Sequence, residues 1–172
     1  KDLLPKWVGE LYLEYHRGTY TSMARNKKYN RIAEFMLMET EGLYTMLKTL
    51  LGEEYPTGAL NKAWKTVLLN QFHDILPGSS IKSVYEESKA QYEVTIKELE
   101  NLSSKAMQKM IENIGLSSQA LVVFNPTGFA MGNIIETSLP DWCHSVKSED
   151  GRLLPVQISH DNKALVYVPF VS

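Results

Sequence analysis

His73 and Asp74 stand side by side in the stretch Leu68-Leu69-Asn70-Gln71-Phe72-His73-Asp74-Ile75-Leu76-Pro77-Gly78-Ser79-Ser80. A neutral imidazole beside a carboxylate can form part of a metal site or a sugar site. An apolar helical run leads into the pair. Pro77 disfavours α geometry at Leu76, so the helix is expected to stop near Ile75. His73 and Asp74 would then lie in the last turn, where unpaired carbonyls carry partial negative charge and favour a cation. A purely structural reading competes, with His73 as a capping histidine and Asp74 as a loop residue. One His-Asp pair is a weak signal, and on chemistry alone the structural reading is the simpler. A second group, Glu10, Glu14, His16 and Arg17, falls within eight positions near the start of the chain. Leu11 and Leu13 alternate with Tyr12 and Glu14 as in a short strand, and His16-Arg17-Gly18-Thr19 turns the chain. That cluster reads either as a solvated strand edge with salt bridges or as a cleft wall.

The elements that must position these residues are mostly helical. Thr21 or Ser22 can cap a helix over 22–51, with Ile32, Met36, Leu43, Leu47 and Leu50 at helical spacing and Gly52 as its C′ residue. Met36, Met38 and Met46 read as core filler, not a metal-binding stripe. A second helix over 59–76 carries Leu60, Trp64, Val67, Leu68, Phe72 and Ile75 on one face. His73 sits next to that face, which suggests partial burial. Ser83-Val84-Tyr85-Glu86 resembles a capping box, and Ser79 or Ser80 offers an earlier start. The third helix spans 81–114 in a nearly heptad rhythm, ending at Gly115. Its Glu and Lys residues read as a solvated face. The second helix is short, so the two long ones must pack partly on each other or on other chain, and short connections make sequential helices antiparallel.

After Gly115 the pattern changes to short apolar runs. Strands are expected at 120–126, 133–137, 154–158 and 164–168, with Asp150-Gly151 as a hairpin turn. The fold class is therefore α+β: an antiparallel three-helix bundle followed by the start of an all-β, antiparallel, sandwich-like domain. The expected divisions are 1–21, 22–116 and 117–172.

Composition narrows the function classes. A chain of 172 residues with 44% hydrophobic content suits one domain, or one domain and part of another. A net charge of −2 gives no sign of nucleic-acid affinity. No apolar run is long enough to span a membrane, and Lys1-Asp2-Leu3-Leu4-Pro5 does not form a signal peptide. The single Cys143 excludes an intramolecular disulfide and fits a reducing compartment. The chain has no initiator Met and ends on what reads as an interrupted strand, so both ends suggest a piece of a longer protein.

Three stretches carry a resemblance to a known family. Gly9-Glu10-Leu11-Tyr12-Leu13-Glu14 with His16-Arg17-Gly18-Thr19-Tyr20-Thr21-Ser22 resembles the end of the catalytic domain in glycoside hydrolase family 38 α-mannosidases of the bacterial and cytosolic type. Asn70-Gln71-Phe72-His73-Asp74-Ile75-Leu76-Pro77-Gly78-Ser79-Ser80 resembles that family's His-Asp motif in its middle three-helix domain. Val123-Phe124-Asn125-Pro126-Thr127 resembles the opening of the β domain that follows. The resemblance implies a zinc-dependent, retaining hydrolysis of terminal α-linked mannose, a role in mannose metabolism and a cytoplasmic location. It implies His73 as a zinc ligand, Asp74 on sugar hydroxyls, Glu10 as the acid/base with Glu14 as the alternative, and His16 and Arg17 shaping the sugar site.

The same resemblance places the other zinc ligands, a His-x-Asp pair and the aspartate nucleophile, in an N-terminal catalytic domain. This sequence has no His-x-Asp: His16, His73, His144 and His160 are followed two residues on by Gly18, Ile75, Val146 and Asn162. A zinc site needs about three or four protein ligands, and retaining chemistry needs two carboxyls about 5–5.5 Å apart. The chain would supply one ligand and one carboxyl, and should be inactive alone. Its implied partners are a mannoside or oligosaccharide and the missing catalytic domain, and the sequence is compatible with a homo-oligomer. The alternative is a non-enzymatic helical-bundle interaction module, with the third helix as the partner surface.

Overall fold

One recurring spacing organises the helices of this chain, whose computed structural model describes residues 4–11, 14–116, 119–143 and 145–171. In α1 (Ala24–Leu51) the buried stripe includes Asn26, Asn30, Ala33, Leu37, Thr40, Tyr44 and Leu47. In α2 (Thr57–Asn70) it is Leu60, Ala63, Val67 and Asn70. In α3 (Lys82–Asn113) it includes Tyr85, Ser88, Tyr92, Thr95, Leu99, Ser103 and Ala106. Alternating steps of three and four keep one stripe of each helix turned inward.

Contacts along the stripes give the directions. Asn26 meets Ser88 and Thr40 meets Ser103, so α1 and α3 run parallel. Trp64 bonds Glu41 while Gln71 bonds Asn30 and Glu34, so α2 runs antiparallel to α1. Lys62–Glu98 and Asn70–Gln91 show the same for α2 and α3. This is the expected up-down-up bundle.

At 1.5 Å per residue α2 is about 21 Å long, half the length of its neighbours. It therefore covers only the first core cluster, built on Ala33, Leu37, Leu60, Ala63, Val67, Tyr92 and Leu99. Beyond it α1 and α3 pack on each other through Leu43, Tyr44, Leu47 and Ala106, with Tyr55 from the connecting loop alongside. Each fully buried Leu or Val in these clusters contributes about 1.5–3 kcal/mol. The buried hydroxyls of Thr40 and Ser103 pair at 2.8 Å, as buried polar groups must.

Several local expectations are corrected. The 7–21 segment holds no strand among the described residues: it is irregular, then a 3-10 helix at Glu14–His16, then turns. Tyr12 and Leu13, two of the four residues of the alternating pattern, lie outside the described residues. Neither Thr21 nor Ser22 caps α1; its N-cap is Met23, at φ 52°, and no side chain caps it. Ile81 takes the N-cap of α3, without a capping box. Met38, Met46 and Leu50 are exposed, and of the three methionines read as core filler Met36 alone packs against a core cluster. Leu68 and Phe72 are also exposed, because Leu60, Ala63, Val67 and Asn70 form the inward stripe of α2 instead.

α2 ends at Asn70, not near Ile75. The buried Asn70 amide donates to Gln91 at 2.8 Å and to the Thr66 carbonyl at 2.9 Å, and Gln71 is held by α1. With both side chains committed to neighbouring helices, the chain continues in tighter turns such as Phe72 N–H to Leu69 O (3.2 Å) and Ile75 N–H to Phe72 O (2.9 Å).

The chain divides into two compact units, Lys1–Gly115 and Leu116–Ser172. In the second, β1 (Met131–Thr137), β5 (Ala164–Val171) and β4 (Val156–Ile158) form an antiparallel sheet in the order β1-β5-β4. β2 (Val146–Lys147) and β3 (Leu153–Leu154) form a separate ribbon closed by the turn at Asp150-Gly151, where Gly151 takes φ 84°. Pro155, which lacks an N–H, separates β3 from β4. Residues 120–126 form no strand; their backbone has no ladder partner among the described residues. Asn125 instead makes a local turn, accepting from the Thr127 N–H at 3.0 Å and donating to the Phe129 carbonyl at 2.8 Å.

Candidate functional site

The candidate residues fall in two stretches of the helical unit, of which only the ends, at Ser22 and Gly78, are brought into contact. His73 and Asp74 lie just past α2, in the run of turns that joins it to α3. Both are solvent-facing, with side chains 78% and 63% exposed, and His73 Nε2 lies 3.5 Å from Asp74 Oδ2. The Phe72 ring packs against the imidazole at 4.3 Å between centroids, tilted by 49°. The expected partial burial of His73 does not occur, since the turn that replaces the end of α2 carries it outward.

The backbone around the pair is held by contacts to two helices, α1 and α3. Gln71 Nε2 donates to Asn30 Oδ1 at 3.0 Å and to Glu34 Oε1 at 2.7 Å, and Tyr92 OH donates to the same Asn30 oxygen at 3.2 Å. Burial raises the Tyr92 hydroxyl well above the usual phenol range, with the Glu34 charge adding to it, so it stays a neutral donor. Tyr85 OH donates to the Ile75 carbonyl at 3.0 Å and accepts the Ser80 N–H at 3.1 Å. Lys27 Nζ donates to the Leu76 carbonyl at 2.9 Å and to the Ser22 carbonyl at 2.5 Å. Helices α1 and α3 both grip the turn.

The same contacts join the two stretches singled out in the sequence. Ser22 closes the turn after His16-Arg17-Gly18, its N–H donating to the Gly18 carbonyl at 2.6 Å. It also abuts Gly78, which takes φ 89° in the turn after His73-Asp74. The ends of the two motif stretches therefore meet. Glu10 is exposed in the irregular segment, where its carbonyl accepts from the Trp7 indole at 3.1 Å. Glu14 opens the 3-10 helix, and its side chain lies outside the described residues. His16 ends that helix and Arg17 follows in the turn, both exposed.

Among the described residues no three His, Cys, Asp or Glu side chains come close enough together to hold a metal ion. An accessible imidazole beside a carboxylate suits zinc in donor type, but these two side chains fall short of the three or four protein ligands that a zinc site needs. The sequence reading gave Lys27 and Asn30 no role, and named Gln71 only within the His-Asp motif and Tyr85 only within a possible capping box. Lys27 alone left a signal, as a cation in the first turn of a helix, where the dipole disfavours it.

Comparison with known proteins identifies the family to which the helical unit belongs. Residues 14–110 match the family described as the alpha mannosidase middle domain. The chain is 44% identical over 108 residues to an alpha-mannosidase of Saccharomyces cerevisiae, an alignment covering 61% of this chain and 10% of the yeast protein. It is 36% identical over 159 residues to alpha-mannosidase G of Dictyostelium discoideum, covering 79% of this chain and 14% of that protein. The chain thus spans about a tenth to a seventh of these relatives. Its fold resembles the crystal structure of an alpha-mannosidase from Enterococcus faecalis V583, with TM-score 0.70 and 19% identity, over 91% of this chain and 23% of that one. The expected family likeness holds: this chain belongs to the alpha mannosidase middle domain family.

Proposed function

We propose that the chain is the middle-domain portion of a zinc-dependent, retaining α-mannosidase of glycoside hydrolase family 38, acting on terminal α-linked mannose. The observation that carries this reading is the exposed His73-Asp74 pair on a turn gripped by α1 and α3. His73 would supply one zinc ligand. Asp74 would accept hydrogen bonds from sugar hydroxyls, charge-assisted and so roughly twice as strong as neutral ones. Glu10 would serve as acid/base, with Glu14 as the alternative, and His16 and Arg17 would line the sugar site. Zinc, when bound, would act as a Lewis acid on the sugar's oxygens.

The remaining ligands and the nucleophile would come from an N-terminal catalytic domain. The exposed apolar side chains Leu68, Leu69 and Phe72 beside His73 fit the edge of such a contact. No described helix is long and apolar enough to cross a membrane. A cytoplasmic location is part of the proposal, supported by the single cysteine and the likeness to the cytosolic type.

The test is zinc content and aryl-α-mannoside hydrolysis of the full-length gene product, with the anomer formed first read by NMR. Stoichiometric zinc and an α-anomer first product support the reading; a full-length protein without mannosidase activity overturns it. An upstream reading frame encoding a His-x-Asp-containing α/β domain would separate the enzyme from a non-enzymatic interaction module.

A further inference from the structure

Two side chains bind consecutive carbonyls directly after His73-Asp74, and neither belongs to the apolar clusters that hold the bundle together. Lys27, in α1, donates to the carbonyl of Leu76 at 2.9 Å; Tyr85, in α3 and 4% exposed, donates to that of Ile75 at 3.0 Å. Lys27 sits where a cation is disfavoured. A helix N-terminus carries positive partial charge, and burial lowers the Lys27 amine below its ordinary range. Its bonds to the Leu76 and Ser22 carbonyls offset that cost and join the two motif stretches. Tyr85 closes the other side by also accepting the Ser80 N–H, which ties the turn to the start of α3.

We propose that Lys27 and Tyr85 are positioning residues for the His73-Asp74 pair, holding the Ile75 and Leu76 carbonyls from two different helices so that imidazole and carboxylate stand ready before metal or sugar arrives. The proposal rests on the reading of His73 as a zinc ligand and Asp74 as a sugar ligand. A loose turn would let both side chains sample many placements, and each placement lost on binding weakens affinity. Fixing two adjacent carbonyls removes that freedom within two residues of the pair.

The test uses the full-length protein with Lys27→Met and Tyr85→Phe, each close to the original in size and lacking only the bonding atom. Zinc affinity is measured by chelator competition, kcat/KM with an aryl α-mannoside, and amide hydrogen exchange on the metal-free protein. Each variant should weaken zinc binding by about 10-fold or more, as loss of supporting contacts around metal ligands does. Both kcat/KM and exchange protection over residues 72–79 should fall, while exchange in the rest of the bundle holds. Thr40→Val is the structural control: it breaks the buried Thr40–Ser103 bond in the bundle interior and should lower Tm with zinc affinity within about twofold of wild type.

If Lys27→Met does not fold, Tyr85→Phe carries the test. Should the folded variants keep wild-type zinc affinity and exchange while His73→Ala loses zinc, the positioning role is wrong and the zinc reading stands. Should His73→Ala itself retain its zinc, the zinc reading fails and the positioning role falls with it.

Discussion

Gly78 lies so close to Ser22 that a Cβ built on it would come within 2.5 Å of the Ser22 Cβ and 2.8 Å of its carbonyl oxygen. Gly78 also takes φ 89°, where an L side chain is strained. The turn after His73-Asp74 can meet the turn after His16-Arg17 only because this position is glycine. Gly78→Ala should therefore cost about 2 kcal/mol or more, combining left-handed strain with displacement of backbone. Urea denaturation checks this, and a loss below about 0.5 kcal/mol would mean that the two turns do not bear on each other.

Gly42 offers the opposite case. It lies within α1, is exposed, and a Cβ there would meet nothing within 4 Å. Gly42→Ala should stabilise the helical unit by about 0.5–1 kcal/mol, because alanine loses less backbone entropy in a helix. Thermal melting of the pair reads the sign directly.

His73 and Asp74 are separated by what each substitution removes. In this chain both side chains are exposed, so either change should shift stability by no more than about 0.5 kcal/mol. On the proposed function, His73→Ala in the full-length protein should lower zinc content and turnover together. Asp74→Asn keeps shape and most hydrogen-bonding capacity but loses the charge, so zinc should hold up better while kcat/KM falls. Metal analysis, kcat/KM and melting on the same samples decide. Normal zinc and turnover in His73→Ala would remove it from the ligand set.

The chain by itself should bind zinc only weakly, since no group of three metal-ligating side chains exists among its described residues. Calorimetric titration of this chain with zinc tests that expectation. Tight stoichiometric binding would require ligands that have not been identified.

The β2–β3 ribbon carries a pH signature. Arg152 and then Ser148 hydrogen-bond the Asp150 carboxylate and hold it down to about 2, from an ordinary 3.8. A folded-state value below the unfolded one means that the contribution is present above about 3.8 and is lost as pH falls toward 2. Asp150→Asn should thus be less stable than wild type near neutral pH, by a small margin because the group is exposed, and the difference should shrink below about 3.8 and vanish only once pH is below about 2. Acid titration of the two proteins followed by circular dichroism measures it.

The sequence alone determined the number, order and approximate length of the helices, because three- and four-residue spacing over 14 to 32 residues admits only one kind of element. The change at Gly115 and the Asp150-Gly151 turn were legible for the same reason, as local backbone chemistry. The His-Asp motif and its family were legible because residue order within a motif is itself the signal. What tertiary structure decided lay in contacts between residues far apart in the chain. Whether 120–126 becomes a strand depends on a partner strand that local pattern cannot reveal. Where α2 stops depends on Asn70 and Gln71 being drawn to Gln91, Asn30 and Glu34, across helix neighbours that do not exist until the bundle forms. The support of the site by Lys27 and Tyr85 is of the same kind. Lys27 and Leu76 are 49 residues apart, and a side-chain bond to a backbone carbonyl leaves no trace in the identity of the residue that supplies the carbonyl.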